Sequence, residues 1–163
     1  MTVISDKRLA NEAWEAYYRA QATLAQEFTD SDIWHGVQPK EYAVLHALSN
    51  APDGLRITEL GDDVLLTQPG MSRLIARLEE RGLVERTDDA ADARARRIHL
   101  TPDGVAIQRR VGRALTETIA GAMIRALDTD QLIALRDLSL TLLAGASGTA
   151  ADVQRAAIER TFS

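Results

Sequence analysis

Two groups of arginines, Arg73 with Arg77 and Arg94 with Arg96 and Arg97, fall in the run TQPGMSRLIARLEERGLVERTDDAADARARRIHLTPDG from Thr67 to Gly104. A guanidinium is a planar, permanently charged fork of donors that fits a phosphate or the edge of a guanine. The chemistry these residues offer is therefore recognition of an anion rather than bond breaking. No G-x-S-x-G, phosphate-binding glycine loop or dinucleotide fingerprint is present, and no residue is assigned a catalytic role. His35, His46 and His99 form no H-x-x-x-H or H-E-x-x-H pattern, so no metal site and no cofactor are expected.

The elements that hold the arginines can be read from spacing. Thr67 suits an N-cap and Pro69 the first turn of a helix. Met71, Leu74, Ile75 and Leu78 follow at steps of three and four and form one apolar stripe. The opposite face carries Pro69, Ser72, Arg73 and Ala76, with Arg77 at its flank. Small residues around one long donor are what close approach to a major groove requires. Gly82 is the expected C′ residue. Leu83–Thr87 and Arg97–Leu100 read as strands, the second because Ile98 and Leu100 alternate with Arg97 and His99. Between them DDAADARAR is a polar tip with no apolar anchor. Asp92 stands two residues before Arg94 and can orient its guanidinium, and an oriented arginine at a loop tip suits a narrow minor groove.

Helix, strand, arginine-tipped loop, strand and the Leu100–Gly104 helix cap resemble the MarR family of bacterial transcriptional regulators. The motifs that carry the resemblance are TQPGMSRLIARLEERGLVER, the D-x-R of Asp92-Ala93-Arg94, the following Arg96-Arg97 and LTPDG. The resemblance extends over roughly Asn11 to Leu143 in organisation and is specific from about Arg56 to Gly104. It implies that Gln68, Ser72, Arg73 and Arg77 face the major groove and its phosphates. It also implies that Arg94 enters the minor groove with Asp92 as support. Gly61 departs from the alanine usual in related sequences, and a helix-interior glycine costs about 1 kcal/mol.

Bulk properties bound the reading. The chain has 163 residues, is 45% hydrophobic and has no cysteine, which excludes disulfides and thiol redox sensing. Its net charge of −5 departs from the basic surface usual in DNA binders. The excess is local: residues 1–66 carry 5 basic against 11 acidic residues, whereas residues 67–100 carry 7 against 6. Neither a signal-peptide core nor a run of about 18 apolar residues appears, so a cytoplasmic protein with no membrane partner is expected.

The remaining elements are helical. Leu9–Phe28 and Pro39–Asn50 read as helices around a connector, with a Pro52-Asp53-Gly54 turn after them. Thr58–Val64 reads as a short helix capped by Thr58. A long helix is expected from the Thr101-Pro102 cap to about Leu127, and another from the Asp128-to-Gln131 capping box to about Leu143. Gly145–Gly148 is a break before a short helix or loose tail at Ala150–Arg160. The wide apolar faces of the first and last helices predict an interface. The aromatic set Trp14, Tyr17, Tyr18, Trp34 and His35 is either core or the lining of a pocket for a small aromatic or amphipathic effector. His46, spaced one helical turn from Tyr42, is assigned to the same pocket.

The expectation is a mostly α, single-domain winged helix-turn-helix with a two- or three-stranded β wing. Residues 38–104 form its DNA-binding lobe, with dimerisation helices in 1–37 and 105–163. Its expected role is that of a homodimeric repressor on double-stranded DNA at a pseudo-palindromic operator, contacting it through Gln68, Pro69, Ser72, Arg73, Arg77, Asp92, Arg94 and Arg96. A small-molecule effector bound near Trp14, Tyr17, Tyr18, His35 and His46 would release it. The alternative is a ligand-binding or protein-interaction module of the same fold without operator binding.

Overall fold

The computed structural model describes residues 6–64, 68–89, 92–146 and 148, and only the backbone at 61–64 and 92–95. Helix α1 spans Asp6–Asp30, α2 Pro39–Ser49, α3 Ile57–Val64 and α4 Gln68–Glu80. Strands β1, Val84–Asp89, and β2, Asp92–Leu100, pair antiparallel before α5, Pro102–Ala126, and α6, Thr129–Gly145. The stripe Met71, Leu74, Ile75 and Leu78 is buried and gives α4 its orientation. It packs with Val44, Leu45 and Leu48 of α2, Leu60 of α3, Val84, Ile98 and Val111 in one core. This cluster extends from Val37 to Val111 and is concentrated in the lobe that presents α4.

The helix ends show how the order of residues sets the geometry. Pro39 starts α2, and the Glu41 carboxylate accepts from the Gln38 backbone N–H at 2.9 Å. In α3 the start lies at Ile57 rather than at a Thr58 cap. The Glu59 carboxylate accepts from the Arg56 N–H at 2.6 Å, the back-reaching half of a capping box. The backbone of α3 runs through Gly61 without a break. The expected Thr67 cap lies outside the described residues. At the far end of α4, Gly82 takes φ +69°, with Leu83 N–H on the Leu78 carbonyl and Gly82 N–H on the Glu79 carbonyl, both at 2.9 Å. This pair of bonds is a Schellman ending.

Thr101 joins that ending to the next helix. Its hydroxyl donates to the Gly82 carbonyl at 2.6 Å and accepts from the Gly104 N–H at 3.1 Å. The capping box at α6 is present in both directions: Asp128 accepts from Gln131 N–H at 2.9 Å, and Gln131 accepts from Asp128 N–H at 3.0 Å.

The strands are longer than alternation alone predicts. The nine-residue tip DDAADARAR is mostly ladder: Asp88 pairs opposite Arg96 and Thr87 opposite Arg97. An irregularity between Asp88 and Asp89 closes the ribbon. These residues are polar on both faces, so periodicity could not distinguish them from a loop. A third strand is reduced to one bridge, with Leu55 and Ile98 exchanging N–H···O bonds of 3.1 and 2.8 Å.

Helices α1 and α6 bury no residue. Trp14, Tyr18, Ile124, Leu138 and Leu142 are all exposed along α1, α5 and α6. Among the described residues no helix is long and apolar enough to cross a membrane. The expected helix at Ala150–Arg160 lies outside the described residues.

A Cβ built on Gly104 runs into the Leu83 carbonyl oxygen. Backbone cannot yield as a flexible side chain would. Gly104→Ala is therefore expected to destabilise the fold by about 1–3 kcal/mol. A fall in the urea midpoint at constant slope is the readout, and an unchanged midpoint would show that the α4–α5 junction is slack.

Candidate nucleic-acid interface

With its apolar stripe inward, α4 leaves Gln68, Pro69, Ser72 and Arg73 exposed on one side. Among the described residues Arg73 has no ion-pair partner. Its guanidinium is available to a ligand without breaking an internal bond. Arg77 is 62% exposed, with Nε 3.9 Å from Glu41 Oε1, a loose attraction rather than a hydrogen bond. The backbones of Asp92 and Arg94 belong to β2, and their expected side-chain pairing lies outside the described residues. Arg96 extends from the same strand and rests 3.2 Å from Asp88.

Arg97, read from sequence as part of a cationic wing, points the other way. Its Nε lies 3.1 Å from Asp89 Oδ2, and its Nη1 donates to the Gly54 carbonyl at 2.8 Å. Arg56 reaches the same carboxylate oxygen at 2.8 Å through Nε and Nη2. Asp89 is 2% exposed. A lone carboxylate could not be buried this far. Two cations and the hydrogen bonds make it tolerable, and the result fastens the wing to the turn before α3.

A second buried carboxylate orients α4. Arg81 Nη1 donates to Glu41 at 2.9 Å, and its Nη2 donates to the Gly36 carbonyl at 2.9 Å. Glu41, 6% exposed, thus caps α2 and holds the last turn of the exposed helix. Sequence reading missed Arg56, Asp89, Glu41 and Arg81. Only Glu41 carried a local signal, its place in the first turn after Pro39.

The residues assigned to an effector pocket separate into two groups. Trp14, Tyr17 and Tyr18 form a ring cluster on exposed α1, with centroids 6.2 Å apart for both Trp14 pairs. His35 sits in the turn after α1 with φ +48°. His46 instead stacks on Tyr42 at 5.9 Å, and Trp34 meets Tyr42 edge-on at 6.0 Å. Tyr42 and His46 line a cavity of about 440 Å³ with Gln108, Arg109, Gly112 and Arg113 of α5. Burial raises the Tyr42 phenol above its ordinary value of 10, and a hydrogen bond with Gln108 opposes the shift. Tyr42 and the α5 arginines are the lining residues that the sequence did not single out. Among the described residues no group of His, Cys, Asp or Glu is placed to hold a metal ion.

A short helix, an exposed helix after it and a two-stranded ribbon packed on one core are the parts of the winged helix-turn-helix class. Residues 35–95 match the model of the MarR family. Through this lobe the chain is similar to the MarR family, the matched residues being less than half of the chain. The transcriptional regulator HosA of Escherichia coli is 34% identical over 86 residues, which are 51% of this chain and 63% of that protein. The matched part thus spans less than two thirds of that relative. Sco3205 from Streptomyces coelicolor, a MarR family transcriptional regulator solved in complex with DNA, superposes with a TM-score of 0.73. It is 24% identical, and the match covers 94% of this chain and 96% of that one. Bordetella bronchiseptica BpsR, whose DNA binding is regulated by 6-hydroxynicotinic acid, gives 0.62 at 22% identity, covering 82% of this chain and 98% of that one.

Removing Asp89 leaves two partly buried guanidiniums facing each other. Asp89→Ala is expected to cost about 3 kcal/mol, the lower end for a broken buried pair, because both arginines keep contact with water. Asp88→Ala, one residue earlier and exposed, is expected to stay within about 0.5 kcal/mol of the parent. Equal costs in chemical denaturation would show that burial does not separate the two aspartates.

Proposed function

We propose that this protein is a transcriptional regulator that binds double-stranded DNA as a two-fold dimer and represses by occupying a pseudo-palindromic operator. The observation that carries the reading is the outward face of α4, with small residues around an unpaired Arg73 beside an arginine-bearing ribbon. The solved DNA complex of a protein with this fold supports it. The proposed contacts are Gln68, Pro69, Ser72, Arg73 and Arg77 at the major groove, with Arg94 in the minor groove. Asp92 would orient Arg94, and Arg96 would meet phosphate.

The second copy follows from surface physics. Two helices with no buried residue and a row of exposed large apolar side chains are unstable as free surface. In the proposed division, residues 38–104 read DNA, while 1–37 and 105–163 join the two copies. Two-fold pairing sets the α4 helices about one DNA turn apart, roughly 34–36 Å.

The proposed effector is a small aromatic or amphipathic acid. Of the expected pocket residues, His46 has the cavity, with Tyr42 as a stacking wall and Arg109 and Arg113 as anion donors. Trp14, Tyr17, Tyr18 and His35 would join it only if the partner copy brought its α1 against this opening. With 6-hydroxynicotinate as probe, quenching of Trp34 fluorescence is expected to saturate and to weaken at least tenfold in Arg113→Ala. Identical titrations of the two proteins would move the site elsewhere.

The alternative, a ligand-binding or interaction module without operator binding, draws on the net charge of −5. A gel-shift titration on the DNA upstream of its own gene, against random DNA, separates the two. Arg73→Ala is expected to lose about 1–3 kcal/mol on the specific fragment and less on random DNA. Arg94→Ala is expected to weaken specific binding with an unchanged melting temperature. No preference for any fragment at any salt would favour the module reading.

A further inference from the structure

Of the seven arginines whose side chains are described between residues 39 and 104, Arg73 alone lacks a carboxylate partner. Arg56 and Arg97 share Asp89, Arg77 and Arg81 share Glu41, Arg86 faces Glu79, and Arg96 faces Asp88. Most of these pairs have a structural reason. Asp89 and Glu41 are buried, and each joins separate elements. Arg86 Nε lies 3.0 Å from Glu79 Oε2, though not aligned for a hydrogen bond, and ties β1 to α4.

The Asp88–Arg96 pair has none. Both side chains are in water, 75% and 62% exposed. They connect neighbouring strands that the backbone ladder already joins, since Asp88 and Arg96 are directly opposed. An exposed pair of this kind contributes about 0–1 kcal/mol. By strand alternation it lies on the face of Val84, Arg86, Ile98 and Leu100, one step nearer the tip. That is the face turned to α4, as the Arg86–Glu79 pair shows. A duplex lying against both α4 and the ribbon would pass its phosphates close to it.

We propose that Asp88 is a built-in competitor for DNA phosphate at Arg96, a residue that sets the strength of backbone binding. This rests on the DNA-binding reading above. In the free protein Asp88 occupies the guanidinium. On DNA a phosphate must displace it, and the displaced carboxylate stays beside the backbone as an opposing charge. The penalty applies to every sequence by the same factor, so the ratio between operator and random DNA is unchanged. Asp88 instead lowers the backbone attraction that would hold the protein on bulk DNA.

The test compares Asp88→Asn with the parent, with Arg96→Ala and with the double variant, by fluorescence anisotropy on a random-sequence duplex between 50 and 200 mM salt. Asp88→Asn is expected to bind random duplex about three- to tenfold more tightly at the low-salt end, with a slope of log affinity against log salt steeper by up to about 0.9. The gain is expected to disappear in the double variant. Affinity and slope equal to the parent's would overturn the proposal. So would a gain that persists without Arg96, because it would then be a general charge effect. If no variant nor the parent bound DNA even at the lowest salt, the DNA-binding reading would fail and this inference with it. Binding by the parent that is unaltered by Asp88→Asn would leave that reading standing and remove the competitor alone. Unchanged far-ultraviolet melting confirms that each variant is folded.

Discussion

A carboxylate buried between two guanidiniums holds the winged lobe in its shape. Asp89 closes the ribbon, Arg97 comes from the opposite strand, and Arg56 comes from the turn that starts α3. Without these cations the aspartate could not leave water, and without the aspartate the cations would repel each other where β2 crosses the turn. Arg97 also donates to the Gly54 carbonyl, so the lone Leu55–Ile98 bridge is supported at both ends. The wing's position relative to α3 is therefore fixed by charge. The position of α4 relative to α2 is fixed by apolar burial and by Glu41.

The same constraint shapes how charge is distributed in so acidic a protein. Its acids are not spread evenly over the lobe. Two of them, Asp89 and Glu41, are buried as cross-links and draw Arg56, Arg97 and Arg81 inward. What remains outward on α4 is a small, specific set around Arg73. In the proposed DNA-binding role, such a surface would depend on shape and a few directed donors, and correspondingly little on diffuse attraction to phosphate.

Much of this was legible from residue order. The stripe from Met71 to Leu78, the glycine at position 82, the Thr101-Pro102 start and the Asp128–Gln131 box each encode local geometry, and each element stands where its signal put it. The ribbon was less legible because Thr87, Asp88, Arg96 and Arg97 are polar on both faces, and a ladder between them leaves no periodic trace. Asp88 and Asp89 are the same letter in adjacent positions. A local irregularity in the ladder sends one into the core region and the other into water, and nothing within the sequence distinguishes them. The aromatic set was grouped by type, whereas the fold sorts it by element: Trp14 stays on α1, and His46 turns to Tyr42 and α5.

The joint made by Thr101 has a mechanical consequence. It ties the end of α4 to the start of a 25-residue helix, a rod about 37 Å long at 1.5 Å per residue. With Gly82 and Leu83 bonded on one side and Gly104 packed on the other, little play is left at the pivot. A tilt of about 5° about that pivot displaces the distant end by about 3 Å over this length. The fold thus has the proportions of a lever with its short arm at α4 and its long arm at the opposite pole, where small forces have the greater leverage.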